Sequence, residues 1–256
     1  MRSDDAVALA TRTEVDPSPP DPEGVRPGWT PPPTSPFSNR SVDIDGQLIR
    51  YVDEGEGPLL LFVDAGTGSV LWREVIVRLR DRFRCIALDV PCADPALATE
   101  GERLDFGPPS RILESFVRTL DLNDLTLVLH DLGGPVALGI APRQHDRIQA
   151  LIVTESFGWP LAPGRCGGLR DSGLADDHLR DVDRTLRTVL SDRPLLLVFG
   201  EDSPKVKARF PERWRERFPD AGLLLVEGAR HFPMADAPDL VARAIKGWWR
   251  EEVFAA

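Results

Sequence analysis

The 256 residues suffice for one large α/β domain or two smaller ones, and 42% of them are hydrophobic, ample for a sizeable core. The formal net charge of −10, from 41 acidic against 31 basic residues, argues against nucleic acid or an anionic membrane surface as the main partner. The longest apolar runs, such as Leu59–Val63 and Leu195–Phe199, are strand-sized and far too short to span a membrane.

Residues 1–36 hold nine of the 24 prolines and few large apolar groups, so a disordered or extended arm is expected, with Trp29 and Phe37 its candidate anchors. The N-terminus lacks the apolar stretch of a secretory signal. Cys85, Cys92 and Cys166 form an odd set without metal-site or redox spacing. Free thiols in a reducing compartment, the cytoplasm, are the reading that follows.

From Ser41 the pattern changes. Val42 to Tyr51 alternates and turns at Asp45-Gly46, which predicts a hairpin. Leu59–Val63 is a continuous apolar strand. Val70–Leu79 has helical spacing through Leu71, Val75, Ile76 and Leu79. Cys85–Val90 is the next strand, and a helix beginning near Ser110 presents Ile112, Leu113, Phe116, Val117 and Leu120. Leu125–Leu129 reads as a buried strand running into a sharp turn, a helix up to Ala141, and a strand at Ala150–Thr154. Leu195–Phe199 resumes the alternation, followed by a helix at Phe210–Phe218, a strand at Leu223–Val226, and a last helix at Pro238–Trp249. That helix has Asp236 as its expected N-cap and Leu240, Val241, Ala244, Ile245 and Trp248 on its expected core face. Repeated β-α-β units of buried strands predict a mostly parallel, doubly wound sheet with helices on both faces. Between Ser156 and about Ala175, glycines and prolines break any long element.

The stretch Leu125-Thr-Leu-Val-Leu-His-Asp-Leu-Gly-Gly-Pro135 carries the chemistry. A strand turns sharply into a helix with Asp131 at the apex, and Gly133 and Gly134 let strand and helix approach closely. A carboxylate there attacks an alkyl carbon and forms an ester that water must then cleave. His231, in the loop between the last strand and the last helix, is the candidate base for that water, because such loops at the carboxyl ends of strands form the site of an open α/β sheet. His130 precedes the nucleophile, His145 lies in a polar turn, and His178 sits among charges on an expected surface helix. The base needs a carboxylate to fix its tautomer. Glu155, closing the strand Ala150–Thr154, and Asp202, following Leu195–Phe199, are the two candidates, and Glu155 is favoured by its place at the end of an apolar strand.

These motifs resemble the haloalkane dehalogenases, in particular the subfamily whose acid is a glutamate after the strand following the elbow. The resemblance runs from Pro27 to Trp249 apart from the cap. It rests on Pro27-Gly28-Trp29, Tyr51 to Pro58, Leu71-Trp72-Arg73, His130-Asp131 with Gly133-Gly134, and Arg230-His231-Phe232 with Asp236 and Pro238. It implies an α/β-hydrolase fold over 37–256 with a reduced cap at about 156–180. It also implies catalysis by Asp131, His231 and Glu155 without metal or organic cofactor, and a small apolar organic substrate taken by a monomer or weak dimer.

Three departures from the family pattern stand out. Leu132 occupies the place of a tryptophan whose indole N–H holds the leaving halide. The oxyanion loop reads Asp64-Ala65-Gly66-Thr67-Gly68 where the family has His-Gly and then a halide-binding asparagine. The amides of Gly66 and Leu132 remain candidate oxyanion donors, but Asp64 adds a negative charge that opposes an anion. The cap is shortened, which leaves a wetter site, and Trp159 within it is the candidate substitute for the missing indole. Ser203 stands where many α/β hydrolases hold their acid, which again favours Glu155. Two other functions compete. An epoxide hydrolase shares the aspartate, histidine and acid but uses cap tyrosines, whereas the single tyrosine, Tyr51, lies in the N-terminal hairpin and leaves only His178 as a donor. A catalytically impaired hydrolase-fold protein that binds a ligand or partner fits the altered oxyanion loop and clipped cap.

Overall fold

Residues 13–14, 36–64, 68–91, 104–161 and 176–254 are described in the computed structural model. Trp29, Gly66, Cys92, Cys166 and most of the N-terminal arm and of the expected cap lie outside them.

Among the described residues, nine strands form one sheet in the order β1-β2-β3-β5-β4-β6-β7-β8-β9. The two-residue β1 (Thr13–Glu14) adds to the edge formed by β2 (Asn39–Ile44), placing a piece of the arm against the domain. β2 and β3 (Gln47–Glu54) make the predicted hairpin. Its turn holds Asp45 at φ 53° and Gly46 at φ 81°, the paired left-handed conformation that matches strand twist, and Asp43 accepts from the Gly46 N–H. β3 pairs antiparallel with β5 (Arg84–Asp89), and from there the sheet is parallel through β4 (Leu59–Asp64), β6 (Leu125–His130), β7 (Ile148–Thr154), β8 (Leu195–Gly200) and β9 (Gly222–Val226).

The central strands are continuous apolar runs because both faces are covered. Leu61, Val63, Leu127, Leu129, Val153 and Leu197 pack beneath α2 (Gly107–Thr119), α3 (Gly133–Leu138), α4 (Ala141–Gln144), α5 (Asp176–Arg187) and α7 (Phe210–Arg215). Their neighbours Leu60, Phe62, Val128, Ile152 and Val198 pack on the other side beneath α1 (Arg73–Leu79) and α9 (Pro238–Trp248). Among the described residues, no helix is long and apolar enough to cross a membrane.

Some helix details differ from expectation. The segment leading into α1 winds as a tight 3-10 turn, Gly68–Trp72, before the α-helix starts. α2 starts at Gly107, not near Ser110, because Pro108 and Pro109 occupy its first turn, where a missing N–H costs nothing. Asp236 closes a separate short helix, α8 (Pro233–Asp236), so α9 is N-capped by Ala237 without a side-chain bond. Its core face is Val241, Ala242, Ile245 and Trp248, while Leu240 points outward at 36% exposure. α5 is not simply a surface helix: His178 is half-buried and its Nε2–H donates to the Pro135 carbonyl of α3 at 2.8 Å. Cys85 is buried in β5, and burial pushes its thiol pKa up, so it is unreactive packing.

Candidate active site

The strand order reverses around β4, and the carboxyl ends of β4, β6, β7, β8 and β9 converge there, where open α/β sheets bind ligands. Each contributes a polar side chain to one connected network.

Asp131 sits between β6 and α3 at φ 43°, a left-handed conformation rare for a residue with a Cβ. The turn is held by its neighbours. The Asp131 N–H donates to Thr154 O at 3.4 Å, the Gly134 N–H donates to Asp131 O at 3.2 Å, and Ser156 Oγ donates to the same carbonyl at 2.6 Å. The two glycines are required by proximity. A Cβ on Gly133 would strike the main chain of Val63 and Asp64, and one on Gly134 would strike Ser156. Glu155 shares the strain, with φ 48° at the end of the neighbouring strand.

The Asp131 carboxylate meets two groups. Lys205, in the short helix α6 (Pro204–Lys207) after β8, places Nζ 2.7 Å from Oδ1. His231, after β9, places Nε2 3.7 Å from Oδ2. The same Lys205 Nζ lies 3.4 Å from His231 Nδ1. Burial disfavours the charge of Asp131, but Lys205, His130 and His231 outweigh it and hold the carboxyl below its ordinary range. Burial, followed by the charge of Lys205 and by His130, pushes the His231 imidazole down to about 4. At neutral pH the pair is therefore an ionised carboxylate beside a neutral imidazole.

Glu155 is fully buried, but it does not reach the His231 ring as expected. Its Oε1 accepts from the Gly200 N–H at 2.8 Å and its Oε2 from Ser203 Oγ at 2.5 Å. The left-handed turn at Glu155 directs the carboxyl toward β8, and the ammonium of Lys205 stands at His231 Nδ1, where the acid was anticipated. Burial raises the Glu155 pKa even though Ser203 and Gly200 favour its charged form. Ser203 thus serves as the acid's donor while also capping α6, its Oγ accepting from the Lys205 N–H at 3.1 Å. Asp202 is exposed, and its main-chain N–H donates to Ala229 O at 3.0 Å.

Asp64 does not confront the site with an unanswered charge. Its Oδ1 lies 2.8 Å from Nδ1 of the buried His130, whose Nε2–H donates to the main-chain carbonyl of His231 at 3.0 Å. His130 therefore positions the His231 loop.

Leu132 is the N-cap residue of α3, and its side chain is buried in the core. Trp159 is buried against Phe210 and Trp214, with ring centroids 5.6 and 5.1 Å away, and the guanidiniums of Arg213 and Arg217 lie 4.6 Å from its ring centre. Its surroundings are those of a packed aromatic cluster, and its Nε1 has no hydrogen-bond partner among the described residues. Tyr51 packs edge-on against Phe116 within the fold.

Two members of this network escaped the sequence reading. His130 was read as part of the elbow alone. For Lys205 the sequence signal is its position two residues beyond Ser203, at the carboxyl edge of the sheet.

The alpha/beta hydrolase fold family matches residues 58–177. Haloalkane dehalogenase 2 of Mycobacterium tuberculosis is 27% identical over 269 aligned residues, covering 82% of this chain and 94% of that protein. A cis-3-alkyl-4-alkyloxetan-2-one decarboxylase of Xanthomonas campestris is 30% identical over 139 residues, about half of this chain and 46% of its own length. Among solved structures, the haloalkane dehalogenase DatA of Agrobacterium tumefaciens superposes with a TM-score of 0.68 at 18% identity, covering 84% of this chain and 97% of that one, which is a likeness of fold. Sheet order, the elbow turn and these likenesses together show an α/β-hydrolase fold, and over most of its length the chain is similar in sequence to a haloalkane dehalogenase.

Proposed function

We propose that the protein hydrolyses a small apolar organic substrate by an aspartate-nucleophile mechanism. Asp131 Oδ2 attacks an sp3 carbon in line, the bond from that carbon to its leaving group breaks, and the leaving group departs with the electron pair. An alkyl ester on Asp131 results. His231 Nε2 then takes a proton from water, whose oxygen adds to the ester carbonyl carbon. Collapse breaks the bond from the acyl carbon to the alkoxy oxygen, which takes back the proton from His231 and leaves as the alcohol, and Asp131 returns to its carboxylate with loss of one proton to solvent. The observation that carries this reading is the ionised Asp131 at a strained elbow, with the neutral imidazole of His231 facing its second oxygen at 3.7 Å.

The test is intact-protein mass spectrometry of His231→Phe mixed with a panel of primary haloalkanes. With the base removed, the ester should accumulate as a stoichiometric adduct that maps to Asp131 and disappears in Asp131→Asn. An adduct on another residue refutes the reading, as does the lack of any adduct with every member of the panel both in this variant and when Lys205, the partner of Asp131, is also replaced by Met.

A second reading, an impaired hydrolase-fold protein that binds a ligand, is favoured by the Lys205–Asp131 ion pair, since a carboxylate held by an ammonium is a weaker nucleophile. The epoxide hydrolase reading gains nothing from the site: Tyr51 is occupied in the core, and His178 is bonded to α3.

A further inference from the structure

Lys205 holds an unusual position for a site of this kind. Its side chain is 11% exposed, and its ammonium is shared between the nucleophile and the base. We infer that Lys205 is an inhibitory clamp: it restrains Asp131 through Oδ1 and His231 through Nδ1, and the chemically competent site is the one from which this ammonium has withdrawn. The inference rests on the aspartate-nucleophile reading above.

Two separate geometric consequences support it. First, attack by Asp131 converts its carboxylate into a neutral ester. A charge-assisted hydrogen bond at 2.7 Å is strongest to the ionised form, so the clamp stabilises the ground state over the alkylated one. Second, an ammonium has only donors. The contact at His231 Nδ1 therefore engages the ring lone pair on that nitrogen and leaves the proton of the neutral ring on Nε2, facing Asp131. A base that is to deprotonate water through Nε2 needs the opposite tautomer, with Nδ1–H directed at a carboxylate. The groups facing His231 do not restore it. Asp131 is already paired, His130 contacts the His231 main chain and is tied to Asp64, and Glu155 is held by Ser203 and Gly200. Burial and the Lys205 charge also lower the basicity of His231.

The clamp is itself held in place. Ser203 Oγ accepts from the Lys205 main-chain N–H and donates to the buried Glu155, so the residue that resembles the triad acid anchors the turn carrying the cation.

The test compares adduct formation with n-butyl bromide in His231→Phe and in His231→Phe combined with Lys205→Met or Lys205→Gln. Removing the base isolates the first half-reaction. Both neutral replacements should speed alkylation of Asp131 by about tenfold or more, the effect of releasing one charge-assisted hydrogen bond. A second readout uses His231-intact protein: in Lys205→Gln, the imidazole pKa read by NMR should rise from about 4 toward its ordinary value of 6.5. Adduct forming in His231→Phe at a rate unchanged or slowed by both replacements overturns the clamp alone. An unmoved His231 titration in folded Lys205→Gln overturns it as well. Absence of adduct from every variant overturns the nucleophile reading and the clamp with it.

Discussion

Ser203 is where the fold of the site can be tested most directly. Its side chain is fully buried and makes two contacts, donating to Glu155 Oε2 and accepting from the Lys205 N–H as the N-cap of α6. Ser203→Ala removes both. Loss of an N-cap hydroxyl costs about 1 kcal/mol. A buried carboxyl oxygen left without its donor costs roughly a further 1–3 kcal/mol. The expected loss is therefore about 2–4 kcal/mol. In a chain of this size each kcal/mol lowers Tm by about 2–4 °C, so a fall of roughly 5–15 °C is expected. Urea unfolding followed by circular dichroism measures the free energy, and a thermal scan checks the shift. A double-mutant cycle with Glu155→Gln assigns the loss to the pair, with an expected coupling of about 1 kcal/mol or more. A Ser203→Ala protein within about 0.5 kcal/mol of the parent, the range of an ordinary surface change, would refute the account of Glu155 and α6 as one anchored unit.

Stability should also depend on pH in a direction set by His231. Its folded pKa is about 4 against 6.5 unfolded, so between those values the unfolded chain binds more protons, and stability falls as pH drops through that window. Asp131, also held below its ordinary range, extends the loss to lower pH, and in His231→Phe the loss between pH 6.5 and 4 should shrink, as chemical denaturation at fixed pH values will show. Gly133→Ala should destabilise the protein by about 3 kcal/mol, because the new Cβ meets the main chain of β4 and either β4 or α3 must shift; an unchanged urea midpoint would contradict the close approach.

The alternation of elements, the elbow and the loop that carries His231 are legible in the amino-acid order alone. The reason is local. A strand buried on both faces records that burial as an unbroken apolar run, as in Leu59–Val63 and Leu195–Phe199. A sharp strand-to-helix turn records its crowding in two adjacent glycines, Gly133 and Gly134. The burial of Glu155 was likewise legible from the apolar strand it ends.

What those groups touch was decided only by tertiary structure. The partners of Asp131 lie 74 residues away at Lys205 and in the loop after β9, and no local pattern fixes which of several carboxyl-edge side chains reaches the elbow aspartate. The left-handed turn at Glu155 and the hydroxyl of Ser203 aim the acid at β8, leaving His231 Nδ1 to the ammonium. In the same way, the expected clash of Asp64 with an anion is answered by His130, 66 residues distant in sequence but adjacent across the parallel pair β4 and β6. Pairing of charges across strands depends on register and backbone direction. The apolar pattern sets which face a residue occupies, and only the folded sheet sets its neighbour.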